Sequence, residues 1–163
     1  MKIIEKIKEP IAKEFEIFET EFKNSVNSGI LILNVILKFM INRKGKQVRP
    51  ILVLLFAKMY SSENLTEKSY RSAIISELIH SATLIHDDIM DSSKIRRGNE
   101  TVHLKWNLNQ AILSGDAMQI LAYKCLENYE AKIQKKLMDI FNDTALKICE
   151  GQQLDLEFEK ENE

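Results

Sequence analysis

The chain has 163 residues, long enough for one domain with a sizeable apolar core. A formal net charge of −1 and an apolar share of 45% give no global bias toward nucleic acid and suit a globular soluble fold. Five glycines and two prolines argue against a turn-rich all-β fold, and the two cysteines, Cys125 and Cys149, have neither CxxC nor metal-ligand spacing, so reduced helix residues of a cytoplasmic protein are expected.

The N-terminal stretch MKIIEKIKEP carries Glu5 and Glu9 and no long apolar run, which makes it a poor signal peptide. A first helix is predicted from about Pro10 to Val26, with Pro10 suited to its first turn. A second spans roughly Ile30 to Asn42. The most apolar run, Gly29 to Ile41, is too short to cross a bilayer and contains Asn34 and Lys38, so it reads as a buried helix and no membrane span is expected. RKGKQVR interrupts the pattern, and Pro50 opens a third helix that ends near Tyr60. SSENLTEK reads as a loop, where Asn64 with Glu67 has the spacing of a capping box.

The fourth helix is predicted from about Thr66 to Asp91, followed by loop-like sequence to about Trp106. Asn107 with Gln110 can cap a fifth helix reaching Asn128, and a sixth runs from Ala131 to Phe158. No segment alternates like a strand, and no Asn-Gly or Asp-Gly turn marks a hairpin. The expectation is a single all-α domain over residues 1–163.

Ile74, Leu78, Ala82, Ile85 and Ile89 recur at steps of three and four, and Ile75, Ile79 and Leu84 widen the apolar surface. The fourth helix is therefore expected to be central. One stripe of it is nevertheless polar: Ser76, His80, Thr83, Asp87 and Asp91, with Asp88 beside the row. Asp87 and Asp91 can point at the same space, where they would repel unless a cation joins them. Oxygen-only ligands from two carboxylates suit Mg2+. The alternative is a solvated helix end whose acids pair with Lys94, Arg96 and Arg97.

Basic residues cluster twice, as Arg43, Lys44, Lys46 and Arg49 before the third helix and as Lys94, Arg96 and Arg97 after the acids. Guanidinium forks and ammonium groups suit phosphate oxygens, and the helix start at Pro50 favours an anion beside Arg49. Acids next to bases suggest a ligand that is anionic and metal-bridged, such as a diphosphate. The GxxxxGK[ST] loop of nucleotide enzymes is absent. Solvated, charged loops are the alternative for both groups.

GKQVRP, ELIHSATLIHDDIMDSSKIRRG, TVHLKW, AILSGDAM and EGQQLDL occur in order, and together they resemble the trans-isoprenyl diphosphate synthases (polyprenyl synthetases). The resemblance implies an all-α bundle around a deep cavity, in a homodimer, that condenses isopentenyl diphosphate with an allylic diphosphate (dimethylallyl, geranyl or farnesyl) in a Mg2+-dependent, head-to-tail reaction. By the same match Asp87 and Asp91 are the Mg2+ ligands, with Asp88 in the same catalytic motif. Arg96 matches the contact to the allylic diphosphate, and Lys46, Arg49, His80 and Arg97 match the isopentenyl diphosphate site. The implied chemistry is departure of the allylic diphosphate, attack by the double bond on the resulting cation, and loss of a proton, with no protein nucleophile.

Ala82 and Thr83, five and four residues before Asp87, match the positions that limit product length. The small Ala82 points to geranylgeranyl or a longer product, close helix packing being the alternative, and Ala82→Phe is expected to shorten the product. The sequence departs from the family's GGKRxRP motif at Lys44 and Gln47. It also contains no second DDxxD, and EGQQLDL lies near the middle of a typical member, so the N-terminal half of the fold is expected. Gly115, Asp116, Gly151, Gln152 and Asp155 are given supporting roles only. A truncated, non-catalytic diphosphate-binding or partner subunit is the competing reading.

Overall fold

The computed structural model describes residues 2–43, 45–61, 64–127 and 129–161. Two compact units are present, one over residues 1–125 and one over residues 126–163.

The first unit begins with α1 (Lys2–Lys8), a single 3-10 turn (Glu9–Ile11) and α2 (Ala12–Ser25). The predicted first helix is thus broken near its start, with Pro10 in the first positions of the 3-10 turn. Proline has no N–H to donate and clashes with the preceding turn, which accounts for the interruption. Phe15, Phe18 and Phe22 recur along one face of α2, with successive ring centroids 5.4 and 5.5 Å apart. Phe18 and Ile11 are fully buried, and each such side chain stabilises the fold by roughly 1.5–3 kcal/mol.

Helices α3 (Leu31–Asn42), α4 (Val48–Tyr60) and α5 (Glu67–Met90) follow. Thr66 occupies the position before α5 without a side-chain capping bond, so the predicted Asn64–Glu67 box is not the helix start. Lys58 of α4 reaches back to the first helical segment, donating to the Pro10 carbonyl at 2.8 Å and to Glu14 at 2.5 Å. Helix α5 is central as expected: it packs on α2, α4 and, most extensively, α7. Leu78, Ala82 and Ile85 form its fully buried strip.

The stretch predicted as loop contains three short elements. Strands β1 (Ile95–Arg96) and β2 (Asn99–Glu100) pair antiparallel, Ile95 with Glu100 and Arg96 with Asn99. Two-residue strands show no alternation to read. The turn between them has positive φ at both Arg97 (52°) and Gly98 (74°), the pattern of a type I′ hairpin. Arginine in place of the usual Asn or Asp concealed it. One turn of helix, α6 (Val102–Lys105), comes next.

Helix α7 (Leu108–Lys124) starts where the sequence placed it: the Asn107 side chain accepts the Gln110 N–H at 2.9 Å. It ends at Lys124, short of the predicted Asn128, which lies outside the described residues. Ala111, Ser114, Gly115, Met118 and Ala122 are its buried face, and all but Met118 are small enough to bring α5 and α7 close together. Gly115 is the tightest point, because a Cβ there would collide with the His86 ring.

The second unit consists of a turn and α8 (Ala131–Glu161), 31 residues long. Lys135 with Asp139, and Gln153 with Glu157, pair one turn apart along it. Gly151, Gln152 and Asp155 lie on this helix. The only antiparallel pair among the described residues is β1–β2, and the architecture is all-α as expected. No helix among the described residues is long and apolar enough to cross a membrane.

Candidate active site

The polar row of α5 is half-buried at Ser76, His80, Thr83 and Asp87 and exposed at Asp91. It runs toward the helix C-terminus, where Asp91 is the capping residue and donates its N–H to the Asp87 carbonyl at 2.8 Å. The hydroxyls of Ser76 and Thr83 fold back on the helix, donating to Ala73 and His80 carbonyls at 2.8 and 2.9 Å. His80 and Asp87 are thus the members of the half-buried row with free chemical reach, alongside Asp91.

A second polar row lies one step around the helix and is fully buried: Glu77, Ser81 and Asp88 are 4%, 8% and 3% exposed. Steps of four and seven put these three on one face. Sequence reading placed Asp88 beside the first row and missed Glu77. The spacing that would have revealed it is present, but it is interleaved with the apolar strip. Burial pushes the Glu77 carboxyl up, against the opposing pull of Arg97 and Arg49.

The two basic groups meet here. Burial first, then the charges of Arg49, Arg97 and Arg96, pull the His80 imidazole down to about 4. At neutral pH the ring is therefore neutral and can both donate and accept. Arg49 lies at the start of α4, and Arg96 and Arg97 lie on the hairpin, so the fold gathers cations that are far apart in sequence. Lys46 and Arg49 are exposed, and Lys44 lies outside the described residues.

The acids differ sharply from one another. Asp88 receives Arg96, with Nε at 2.7 Å and Nη2 at 2.6 Å from the same oxygen Oδ1. That bond holds Arg96 more firmly protonated. Asp87 has no such partner among the described residues: burial, and after it the neighbouring Asp91 carboxylate, raise its pKa. The Asp87–Asp91 pair thus gathers negative charge that the Arg96 cation offsets only in part.

A known family matches this chain: its sequence profile, described as polyprenyl synthetase, aligns with residues 31–163. The chain belongs to the polyprenyl synthetase family. A geranylgeranyl diphosphate synthase from Methanosarcina mazei is 41% identical over 124 residues, which cover 75% of this chain and 38% of that protein. A crystal structure of a geranylgeranyl pyrophosphate synthase superposes with a TM-score of 0.83 at 38% identity, covering 95% of this chain and 45% of the other. A polyprenyl synthase from Caulobacter crescentus, crystallised with calcium and isoprenyl diphosphate, gives a TM-score of 0.84 at 26% identity and covers 94% and 45% of the two chains. The chain spans less than half the length of these relatives.

The donor set fits a hard divalent cation. Asp87 and Asp91 supply oxygen ligands only, and Mg2+ characteristically takes one or two carboxylates together with water and phosphate oxygens. Asp88 is engaged by Arg96 through Oδ1. No cluster of three or more acidic, histidine or cysteine side chains suited to a metal occurs among the described residues.

Of the two positions matched to product length by the family resemblance, Ala82 is fully buried and Thr83 is half-buried on the polar row. Thr83 alone lies on the same face as His80 and Asp87.

Proposed function

We propose that this chain carries the diphosphate-binding half of a trans-prenyltransferase, which joins isopentenyl diphosphate to an allylic diphosphate and releases a longer trans-polyprenyl diphosphate. The observation that carries the reading is the pairing of opposite fields on one helix. Arg49, Arg96 and Arg97 act together on a neutral His80, while Asp87 and Asp91 repel each other further along the row. A diphosphate bridged to a cation satisfies both fields at once.

In this reading Arg96 binds the allylic diphosphate, held in place by Asp88. Lys46, Arg49, His80 and Arg97 bind isopentenyl diphosphate. Asp87 and Asp91 would hold Mg2+. When bound, that ion supplies positive charge against the departing diphosphate. The arginines stabilise the same developing charge without giving up a proton, since their guanidinium groups stay protonated. No side chain is required as a nucleophile. Homodimer formation and a cytoplasmic setting belong to the same proposal and rest on the family resemblance.

The second reading is a diphosphate-binding or partner subunit without turnover. It keeps Asp88 and Arg96 as an ion pair of the framework and asks only that the site bind diphosphate. A product assay separates the two. Labelled isopentenyl diphosphate, an allylic diphosphate and Mg2+ are incubated with the chain, with Asp87→Ala as control. Prenyl product that disappears in the control supports the transferase. Mg2+-dependent diphosphate binding without product supports the subunit, and no saturable diphosphate binding sinks both.

A further inference from the structure

Arg43 belongs to none of the matched motifs, yet it joins the two segments that carry the cations. It follows the last residue of α3. Its Nη1 donates to the Glu100 carbonyl on β2 at 2.7 Å. Its own carbonyl accepts Nη1 of Arg97 at 2.5 Å. Each arginine thus binds the backbone of the other's segment, and the two bonds form a reciprocal clamp.

The clamp is braced on both sides. The Arg43 guanidinium lies 3.4 Å from the centroid of the Phe39 ring, a cation–π contact that fixes the plane of its fork. Phe39 is in turn held edge-on by Trp106, with centroids 4.7 Å apart. On the other side, the Arg97 guanidinium fills the space beside Gly45, where a Cβ would sit 2.5 Å from Cζ. Arg97 also occupies the left-handed backbone region, a conformation that a non-glycine residue keeps only when its surroundings hold it there. Arg43, Asp88, Arg96 and Arg97 line one small cavity with Ser81.

We propose that Arg43 is a positioning residue: by binding Glu100 it sets the spacing between the Lys46–Arg49 segment and the Arg96–Arg97 hairpin, and so aligns the two parts of the diphosphate site. The inference rests on the diphosphate reading given above. Lysine cannot replace Arg43, because an ammonium group has no planar fork to lie on Phe39 while it donates to Glu100.

The test uses the full 163-residue chain and two probes, inorganic diphosphate without metal and Mg2+ alone, each followed by calorimetry. Arg43→Ala is expected to weaken diphosphate binding about tenfold, because the hairpin is no longer held in line with the Lys46–Arg49 segment. Mg2+ affinity and the unfolding midpoint stay near wild type, which a general loss of structure would not allow. Arg43→Lys should fail to restore binding, and Phe39→Leu should weaken it in the same direction. Amide exchange at residues 99–101 should quicken in Arg43→Ala while α5 is unchanged. If Arg43→Ala does not fold, Arg43→Lys decides, and wild-type diphosphate affinity in it overturns the inference. Unchanged diphosphate affinity in a folded Arg43→Ala does the same. No diphosphate binding by wild type overturns the diphosphate reading itself, and this inference with it, and is told apart from failure of the clamp alone because the latter leaves wild-type binding intact.

Discussion

Asp88 and Arg96 are joined through a single carboxylate oxygen, with Nε and Nη2 of the arginine at 2.7 and 2.6 Å from Oδ1. The acid is 3% exposed, and the arginine reaches it from the β1 strand across eight residues. The middle aspartate of the motif is therefore bonded to a cation of the hairpin. It anchors the hairpin to α5 and fixes the direction in which one guanidinium points. Asp87 and Asp91 remain as a pair without a cation bonded to them among the described residues.

Asp88→Asn should separate these roles. The amide keeps the shape but removes the charge, and Arg96 loses a strong partner in a largely buried place. Stability should fall by about 2 kcal/mol in urea unfolding, in the range for hydrogen bonds to charged groups. Mg2+ binding should survive, because neither remaining carboxylate is touched. Mg2+ affinity lost as fully as in Asp87→Asn would show that Asp88 is a ligand after all.

Gly45→Ala addresses the cation side. The new methyl would sit 2.5 Å from the Arg97 Cζ, and a flexible side-chain end can move away from it. The expected result is an intact fold, with stability within about 0.5 kcal/mol of wild type. Arg97 would leave its bond to the Arg43 carbonyl, and diphosphate affinity would drop. Unchanged affinity would mean that Arg97 does not contact the ligand from its present position.

Much of this was legible in the sequence, and the reasons differ by element. The centrality of α5 follows from its apolar steps, and the polar row from Ser76 to Asp91 follows from the same periodicity. Asn107 was readable as a cap because its signal is local. The hairpin was not, since two-residue strands carry no period and Arg97 takes a backbone conformation that its residue type disfavours. Glu77 was hidden because a buried carboxylate within an apolar face resembles a break in the pattern. Arg43 was grouped with its basic neighbours, and nothing local distinguishes a clamp from a solvated charge. Long-range partners decide such cases, and they are a property of the fold.

His80 makes the pH dependence of stability testable. Its folded pKa of about 4 lies below the ordinary 6.5, so folding favours the neutral ring. A base with a depressed folded pKa contributes stability that is complete above pH 6.5 and is lost as pH falls from there toward 4. The groups acting on it are Arg49, Arg97 and Arg96, all cations throughout that window. His80→Gln should flatten the pH dependence between 6.5 and 4 relative to wild type. The difference between the two proteins isolates His80 from Asp87, whose raised pKa contributes with the opposite sign. An imidazole that titrates near 6.5 by NMR in the unliganded protein would contradict the cationic surroundings described for it.

The residue that limits product length should be Thr83 rather than Ala82. Both precede Asp87 by about one turn, and the family match with the small size of Ala82 points to Ala82. Ala82 is fully buried in the strip it shares with Leu78 and Ile85. A phenylalanine there must displace packed neighbours, and overpacking of this kind costs about 1–3 kcal/mol. Thr83 is half-buried on the row that carries His80 and Asp87, and its hydroxyl makes only a local bond to the His80 carbonyl. Phenylalanine at that position adds bulk on the site's own face and gives up little. Thr83→Phe is therefore expected to melt near wild type and, in a preparation that turns over, to shorten the prenyl product. Ala82→Phe is expected chiefly to lower the urea midpoint. Chromatography of the products beside denaturation of the same variants reads both effects. Shortening by Ala82→Phe at full stability, with no effect of Thr83→Phe, would place the growing chain on the other face of α5.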